Sequence, residues 1–127
     1  MMLDRASVVD EQFLKRVKHA NFPQAKSITT PEMAGLDKKT AIDLFDSQIK
    51  SRLLDLIARQ LKDKGLSYYT IGSSGHEGNA VFGHLFKYTD MAFLHYRSGA
   101  FYLQRAKQVK GTDGVRDILL SLVAAAA

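Results

Sequence analysis

The sequence predicts a mostly helical chain with one or two short strands, on three observations. Apolar residues recur at helical spacing along about 25 residues that open at Asp37. The run Met91-Ala92-Phe93-Leu94-His95-Tyr96-Arg97 is short and nearly continuously apolar, the pattern of a strand in a buried parallel sheet. Both prolines, Pro23 and Pro31, fall in one aperiodic stretch, which breaks the chain into an N-terminal part, 1–36, and a main part, 37–127. With 127 residues, 46% hydrophobic and 24% charged, the composition is that of a globular protein.

Ser7-Val8-Val9-Asp10 reads as a capping-box-like helix start, and Val9, Phe13 and Val17 give the helix one apolar stripe to about Ala20. Residues 21–36 follow as an extended arm. From Asp37, Ile42, Phe45, Ile49, Leu53, Leu56, Ile57 and Leu61 mark the face that a long helix should bury, and Gly65 is its stop. A helix of this length suggests a large body to pack against. Residues 76–87 are expected to be helical, with Val81, Phe82 and Leu85 inward. The strand at 91–97 lies between a turn at Thr89-Asp90 and a break at Ser98-Gly99, and helix resumes from Gly99 to Val109. Thr112 or Asp113 then caps a last helix with Val115, Ile118, Leu119 and Leu122 on its inner side. That helix runs into Val123-Ala124-Ala125-Ala126-Ala127 without a closing glycine, proline or basic turn. A single strand also needs a sheet partner for its backbone. Both points lead to the expectation of a piece of a larger protein, or of an obligate partner to one.

The absence of cysteine excludes disulfides, thiolate metal sites and cysteine nucleophiles. Neither a signal peptide nor a membrane span is visible, so a cytoplasmic location is expected, or the mitochondrial matrix in a eukaryote, although no transit peptide is seen. The net charge of +5 favours polyanionic partners. Lys38-Lys39, Lys50, Arg52, Arg59, Lys62 and Lys64, however, are mixed with Asp43, Asp46, Asp55 and Asp63, which reads mainly as a solvated helix face.

Chemistry is first sought in Gly72-Ser73-Ser74-Gly75-His76-Glu77-Gly78. The stretch lacks the lysine and hydroxyl of a Walker loop, and its glycine spacing is not that of a dinucleotide fingerprint. His76 and His84 stand eight residues apart, about 12 Å along a helix, too far to share one metal. Ser73 or Ser74 beside His76 has only Glu77 as a local orienting carboxylate. The stretch is therefore read as a turn, with no catalytic group and no metal site assigned. Tyr96-Arg97 is the stronger candidate. It stands where an apolar strand gives way to a new helix, so that an arginine fork, a phenol and a helix N-terminus converge as they would on a phosphate or diphosphate.

The order of features then resembles a known family. A long helix with Asp43-Leu44-Phe45 and Ser51-Arg52-Leu53-Leu54-Asp55, the loop from Gly65 to Gly78, Ala80-Val81, Thr89-Asp90 and Tyr96-Arg97-Ser98-Gly99 follow one another. This order is similar to the N-terminal part of the alpha subunit of thiamine-diphosphate-dependent 2-oxoacid dehydrogenases, branched-chain type, including forms with fused alpha and beta parts. The resemblance covers about residues 37–127. It implies the N-terminal piece of an α/β thiamine-diphosphate-binding fold, with Tyr96 and Arg97 on the cofactor diphosphate. It implies thiamine diphosphate and magnesium as cofactors of the whole protein, and oxidative decarboxylation of a branched-chain 2-oxoacid or pyruvate with acyl transfer to a lipoyl group. The implied partners are the remaining alpha region, a beta subunit or beta domain, and the lipoyl domain of the acyltransferase component. His76 departs from the family pattern, which has an amide or acid there. The family's metal motif and catalytic histidine loop are not in these residues, so the 127-residue piece alone is expected to be inactive. The competing reading is a small basic helical binding module without enzymatic activity, with nucleic acid as its candidate ligand, in which Tyr68, Tyr69, Phe101 and Tyr102 beside basic residues stack on single strands. Helical spacing at Phe101 and Tyr102 fits core packing better, so nucleic acid is the less favoured partner.

Overall fold

The computed structural model describes residues 5–24, 26–68 and 72–124, and among them all regular structure is helical. Helix α1 spans Arg5–His19, α2 Lys38–Asp63, α3 Ala80–Leu85, α4 Gly99–Ala106 and α5 Gly114–Ala124, with a single 3-10 turn, Glu77–Asn79, leading into α3.

The ends of α2 follow from local chemistry. The Asp37 carboxylate accepts the Thr40 backbone N–H at 2.8 Å and the Thr40 hydroxyl at 3.0 Å, a cap worth about 1 kcal/mol. At the other end Gly65 takes φ 70°, which lets its N–H reach the Lys62 carbonyl and the Leu66 N–H reach the Leu61 carbonyl, each at 2.8 Å. Asp113 caps α5 through the N–H groups of Val115 and Arg116, both at 3.1 Å. The helix start expected at Ser7 is not found there, because α1 already includes Arg5 and Ser7 lies inside it.

The packing of α2 inverts the expectation from periodicity. Its buried face carries Leu44, Ser47, Ser51, Leu54 and Ala58, whereas Ile42, Phe45, Leu53 and Ile57 on the opposite side remain exposed. The reason is close approach. Ala80 of α3 and Ala100 of α4 pack with Leu44 and Leu36 as the core cluster. A Cβ added at Gly83 would lie 2.4 Å from the Phe101 carbonyl oxygen, and one at Gly99 3.0 Å from the Ser51 hydroxyl. Small side chains thus bring α2, α3 and α4 together backbone to backbone, and the buried polar groups satisfy one another. The Ser47 hydroxyl donates to Gln104 Oε1 at 2.7 Å, Gln104 Nε2 donates to Asp43 at 2.7 Å, and Lys107 bridges Asp43 and Asp46 at 2.8 and 3.0 Å.

The expected strand is absent among the described residues. Residues 91–95 run as coil with Met91, Phe93 and Leu94 exposed, Phe93 at 94%. The described chain offers no second strand to pair with them, and the sheet assignment required one. The helix expected over 76–87 contracts to the 3-10 turn and α3, where Ala80 and Gly83 are buried and Val81, Phe82 and Leu85 are exposed. The inner side expected for α5 holds, with Val115, Ile118, Leu119 and Leu122 half-buried.

Candidate functional site

The fold brings Tyr96-Arg97 and the glycine loop together across 25 positions of sequence. Arg97 Nη1 donates to the Gly72 carbonyl at 3.0 Å, and its guanidinium carbon lies 5.2 Å from the centre of the Tyr96 ring. The His95 ring covers Tyr96, centroid to centroid 3.6 Å. Ser98 turns its hydroxyl back to accept the His95 N–H at 3.1 Å, and its side chain makes no cap bond to α4, which begins at the next residue. A half-buried arginine with donors beyond the one it spends on Gly72, an exposed tyrosine and a helix start without a side-chain cap therefore lie in consecutive positions. That set of donors can hold an anion. Tyr96 and Arg97 lie just before α4, as expected, but at the end of a coil rather than of a strand.

Of the glycine loop, Tyr69, Thr70 and Ile71 lie outside the described residues. The rest is a turn: Gly75 takes φ 87°, and Glu77 reaches back to accept the Gly75 N–H at 2.8 Å. His76 is exposed, and its backbone N–H donates to Ser73 at 2.8 Å. Ser73 points the other way, into the body. Its N–H donates to Asp55 at 2.7 Å, its hydroxyl lies 3.0 Å from the same carboxylate, and the Ser51 hydroxyl sits 3.1 Å away. Ser73 and Asp55 thus have a structural role, fastening the loop to α2.

Asp55 belongs to a buried charge cluster that sequence reasoning misread as a solvated face. Arg52 has a relative exposure of only 5%. It donates to Asp10 of α1 at 2.8 Å and to Asp55 at 3.3 Å, and Phe13 lies against its guanidinium at 5.6 Å. Arg59 closes the set with a short contact to Asp10. Two arginines face two carboxylates, and α1 is tied to α2 through them. Burial pushes the Asp55 carboxyl above its ordinary value, against the opposing effect of the Ser73 hydrogen bonds and the two arginines. The legible signal was the spacing Arg52, Asp55, Arg59, which sets the three side chains along one side of α2. Asp10, forty-two residues from Arg52, gave no such signal.

Two open grooves flank α1. One, of about 620 Å³, is lined by Gln12, Lys15, Arg16, His19, Asn21 and Pro23. The other, of about 400 Å³ between α1 and α2, has Val9, Phe13, Phe22, Phe45 and Ile49 among its walls. Phe22 meets Phe45 edge-on there, with centroids 6.4 Å apart. Among the described residues no three histidine or carboxylate side chains gather as a metal set, and no helix is long and apolar enough to cross a membrane. No protein family, curated protein or solved structure matches the chain.

Proposed function

We propose that this chain is the N-terminal segment of the decarboxylating component of a 2-oxoacid dehydrogenase complex, and that Tyr96 and Arg97 hold the diphosphate of thiamine diphosphate. The observation that supports this reading is the junction of Arg97 with Gly72, which sets the two loops of the family-like motif order side by side at the start of α4. The donor set fits the group. Arg97 is held in place by the Gly72 carbonyl while its other N–H groups remain able to bind, Tyr96 supplies a hydroxyl, and the start of α4 adds the positive end of a helix dipole. Thiamine diphosphate, with magnesium, supplies the electron sink for loss of carbon dioxide from a 2-oxoacid. The residues of this chain bind and orient. Arg97 neutralises phosphate charge, Tyr96 fixes the approach by its hydroxyl, and Asp55 with Ser73 keeps the glycine loop against them.

In this reading the substrate is a branched-chain 2-oxoacid or pyruvate. The partners are the remaining alpha region, the beta subunit or domain, and a lipoyl domain. The test is reconstitution with those regions, followed by thiamine-diphosphate-dependent release of carbon dioxide from each 2-oxoacid. No release with any of them refutes the function. In an active assembly, Arg97→Ala should raise the half-saturating cofactor concentration at least tenfold, the loss of about 1.5–3 kcal/mol expected of a hydrogen bond to a charged group. An unchanged requirement would remove Arg97 from the site. The isolated chain should show no micromolar heat of binding with thiamine diphosphate and magnesium.

A further inference from the structure

The larger groove beside α1 gathers positive charge that nothing balances. Gln12, Lys15, Arg16 and His19 follow at spacings of 3, 1 and 3, which sets them along one side of the helix over about 10 Å at 1.5 Å per residue. After His19 the chain doubles back through Ala20, whose φ of 49° is a left-handed conformation unfavourable for an alanine. The Ala20 N–H reaches the Val17 carbonyl at 3.3 Å and the Asn21 N–H the Arg16 carbonyl at 3.1 Å, which closes α1. The turn thereby brings Asn21 and Pro23 to the same groove, whose volume of about 620 Å³ is usual for a small-molecule site.

Three observations mark its charge as unspent. Among the described residues, the side chains of Lys15, Arg16 and His19 form no ion pair and no hydrogen bond. No carboxylate lines the groove: Asp10 is turned to Arg52 and Arg59, and Glu11 is not among its walls. Three other grooves each include one, Glu77 between α1 and α2, Asp43 where α2, α3 and α4 meet, and Asp113 beside α5. The sequence agrees, since Lys15, Arg16, Lys18 and Lys26 stand between Gln12 and Pro31 without any aspartate or glutamate, which accounts for +4 of the net +5. The negative end of the α1 dipole amounts to only about half a charge. One cation satisfies it, so it does not call for three on one side.

The chemistry of the walls selects the ligand. An arginine fork and an ammonium suit phosphate oxygens, and the imidazole and two amides add further donors. The row is longer than a single phosphate group. Pro23 is the sole apolar residue of the lining, which leaves little to hold a ring or an acyl chain. We propose that this groove binds a small soluble ligand carrying two or more phosphate groups, through Lys15, Arg16 and His19 with Gln12 and Asn21. It stands apart from the cofactor reading, because neither Tyr96 nor Arg97 lines it.

Inorganic tripolyphosphate, without magnesium, is the probe. Calorimetric titration of the 127-residue chain at low salt should show saturable one-to-one binding, which Lys15→Ala with Arg16→Ala weakens about tenfold or more. Both side chains are exposed, so helical circular dichroism should not change. Lys62→Ala with Lys64→Ala removes the same charge from the end of α2 away from the Phe22–Phe45 contact, and should leave the affinity within about twofold. Amide resonances of residues 12–23 should shift during the titration while those of Tyr96 and Arg97 stay in place. Absence of saturable heat overturns the proposal, as does an equal loss in the two double variants, or shifts centred on Arg97. Phosphatidylcholine vesicles carrying a bisphosphorylated inositol lipid should leave the chain in solution. Their capturing it overturns the soluble ligand and makes the partner a membrane surface.

Discussion

Gly83→Ala is the substitution in which local and tertiary effects oppose each other most sharply. In a helix interior an alanine in place of glycine gains about 1 kcal/mol of intrinsic propensity. At position 83 the new methyl would lie 2.4 Å from the Phe101 carbonyl oxygen and 3.0 Å from Gln104 Cβ. The first neighbour is backbone and the second sits in the buried α2–α4 hydrogen-bond network, so neither yields cheaply. Relief needs α3 to retreat from α4 by roughly 1 Å, to reach ordinary contact distance. Overpacking of this kind costs about 1–3 kcal/mol. The retreat also stretches the bonds from Gln108 Nε2 to the Gly83 and Phe86 carbonyls, now 3.0 and 2.8 Å, each worth about 1 kcal/mol. The net expectation is a loss of about 1–3 kcal/mol after the propensity gain. Urea unfolding followed by helical circular dichroism measures it as a lower midpoint at unchanged slope. Gly78→Ala is the control, since a Cβ there meets nothing within 4 Å, and it should stay within about 0.5 kcal/mol of the natural chain. A Gly83→Ala chain as stable as the natural one would refute the close approach of α3 and α4.

Two further perturbations separate the charge clusters. Asp10→Asn removes the carboxylate shared by Arg52 and Arg59, and Arg52 keeps only its longer contact to Asp55. Faster amide exchange confined to α1 is expected, with a cost of about 1–3 kcal/mol, and uniform exchange across the chain would contradict the tether. Acid titration probes Asp43 and Asp46. Burial pushes both carboxyls up, but hydrogen bonds and charge from Lys107, together with Gln104 at Asp43 and Lys50 at Asp46, outweigh it and hold them below 3.8. Their folded values are depressed, so their contribution is present above pH 3.8 and is lost as the pH falls through the folded values. Asp55 acts in the opposite sense: its raised value gives a contribution present below pH 3.8 that is lost as the pH rises through it. Unfolding midpoints across the acid range should therefore fall more steeply on acidification in Asp55→Asn and less steeply in Asp43→Asn; the reverse order would invalidate these assignments.

The helix ends marked by Asp37, Gly65 and Asp113 were legible in the sequence, whereas the start expected at Ser7 was not. Asp37, Gly65 and Asp113 act locally through the bonds their types make, and α2 ends where they place it. Periodicity located the apolar stripe of α2 but could not report which side is covered. Hydrophobic patterning assumes that a helix buries its greasiest face, whereas this one buries Ser47, Ser51 and Ala58 alongside Leu44 and Leu54. Serine, alanine and glycine carry little hydropathy, so a contact made of close approach leaves almost no trace in a pattern search. The run at 91–97 misled for the complementary reason: apolar β-prone residues mark a strand only where another strand is present to receive the backbone. At the candidate site the sequence singled out Tyr96 and Arg97 by type and position, but not the Gly72 carbonyl that accepts from Arg97, which lies 25 residues away.

The exposed coil after α3 bears on how the chain behaves in a test tube. Arg105 bonds the Tyr88 and Asp90 carbonyls just before it, and Ser98 takes the His95 N–H just after it. Between these clasps Met91-Ala92-Phe93-Leu94 is uncharged and greasy, and no residue of it bonds to another described part of the chain. Such a stretch is a template for cross-β stacking whenever two chains linger side by side. Concentrated preparations should therefore cloud from this segment first, and a lysine at position 93 is the simplest gatekeeper against it.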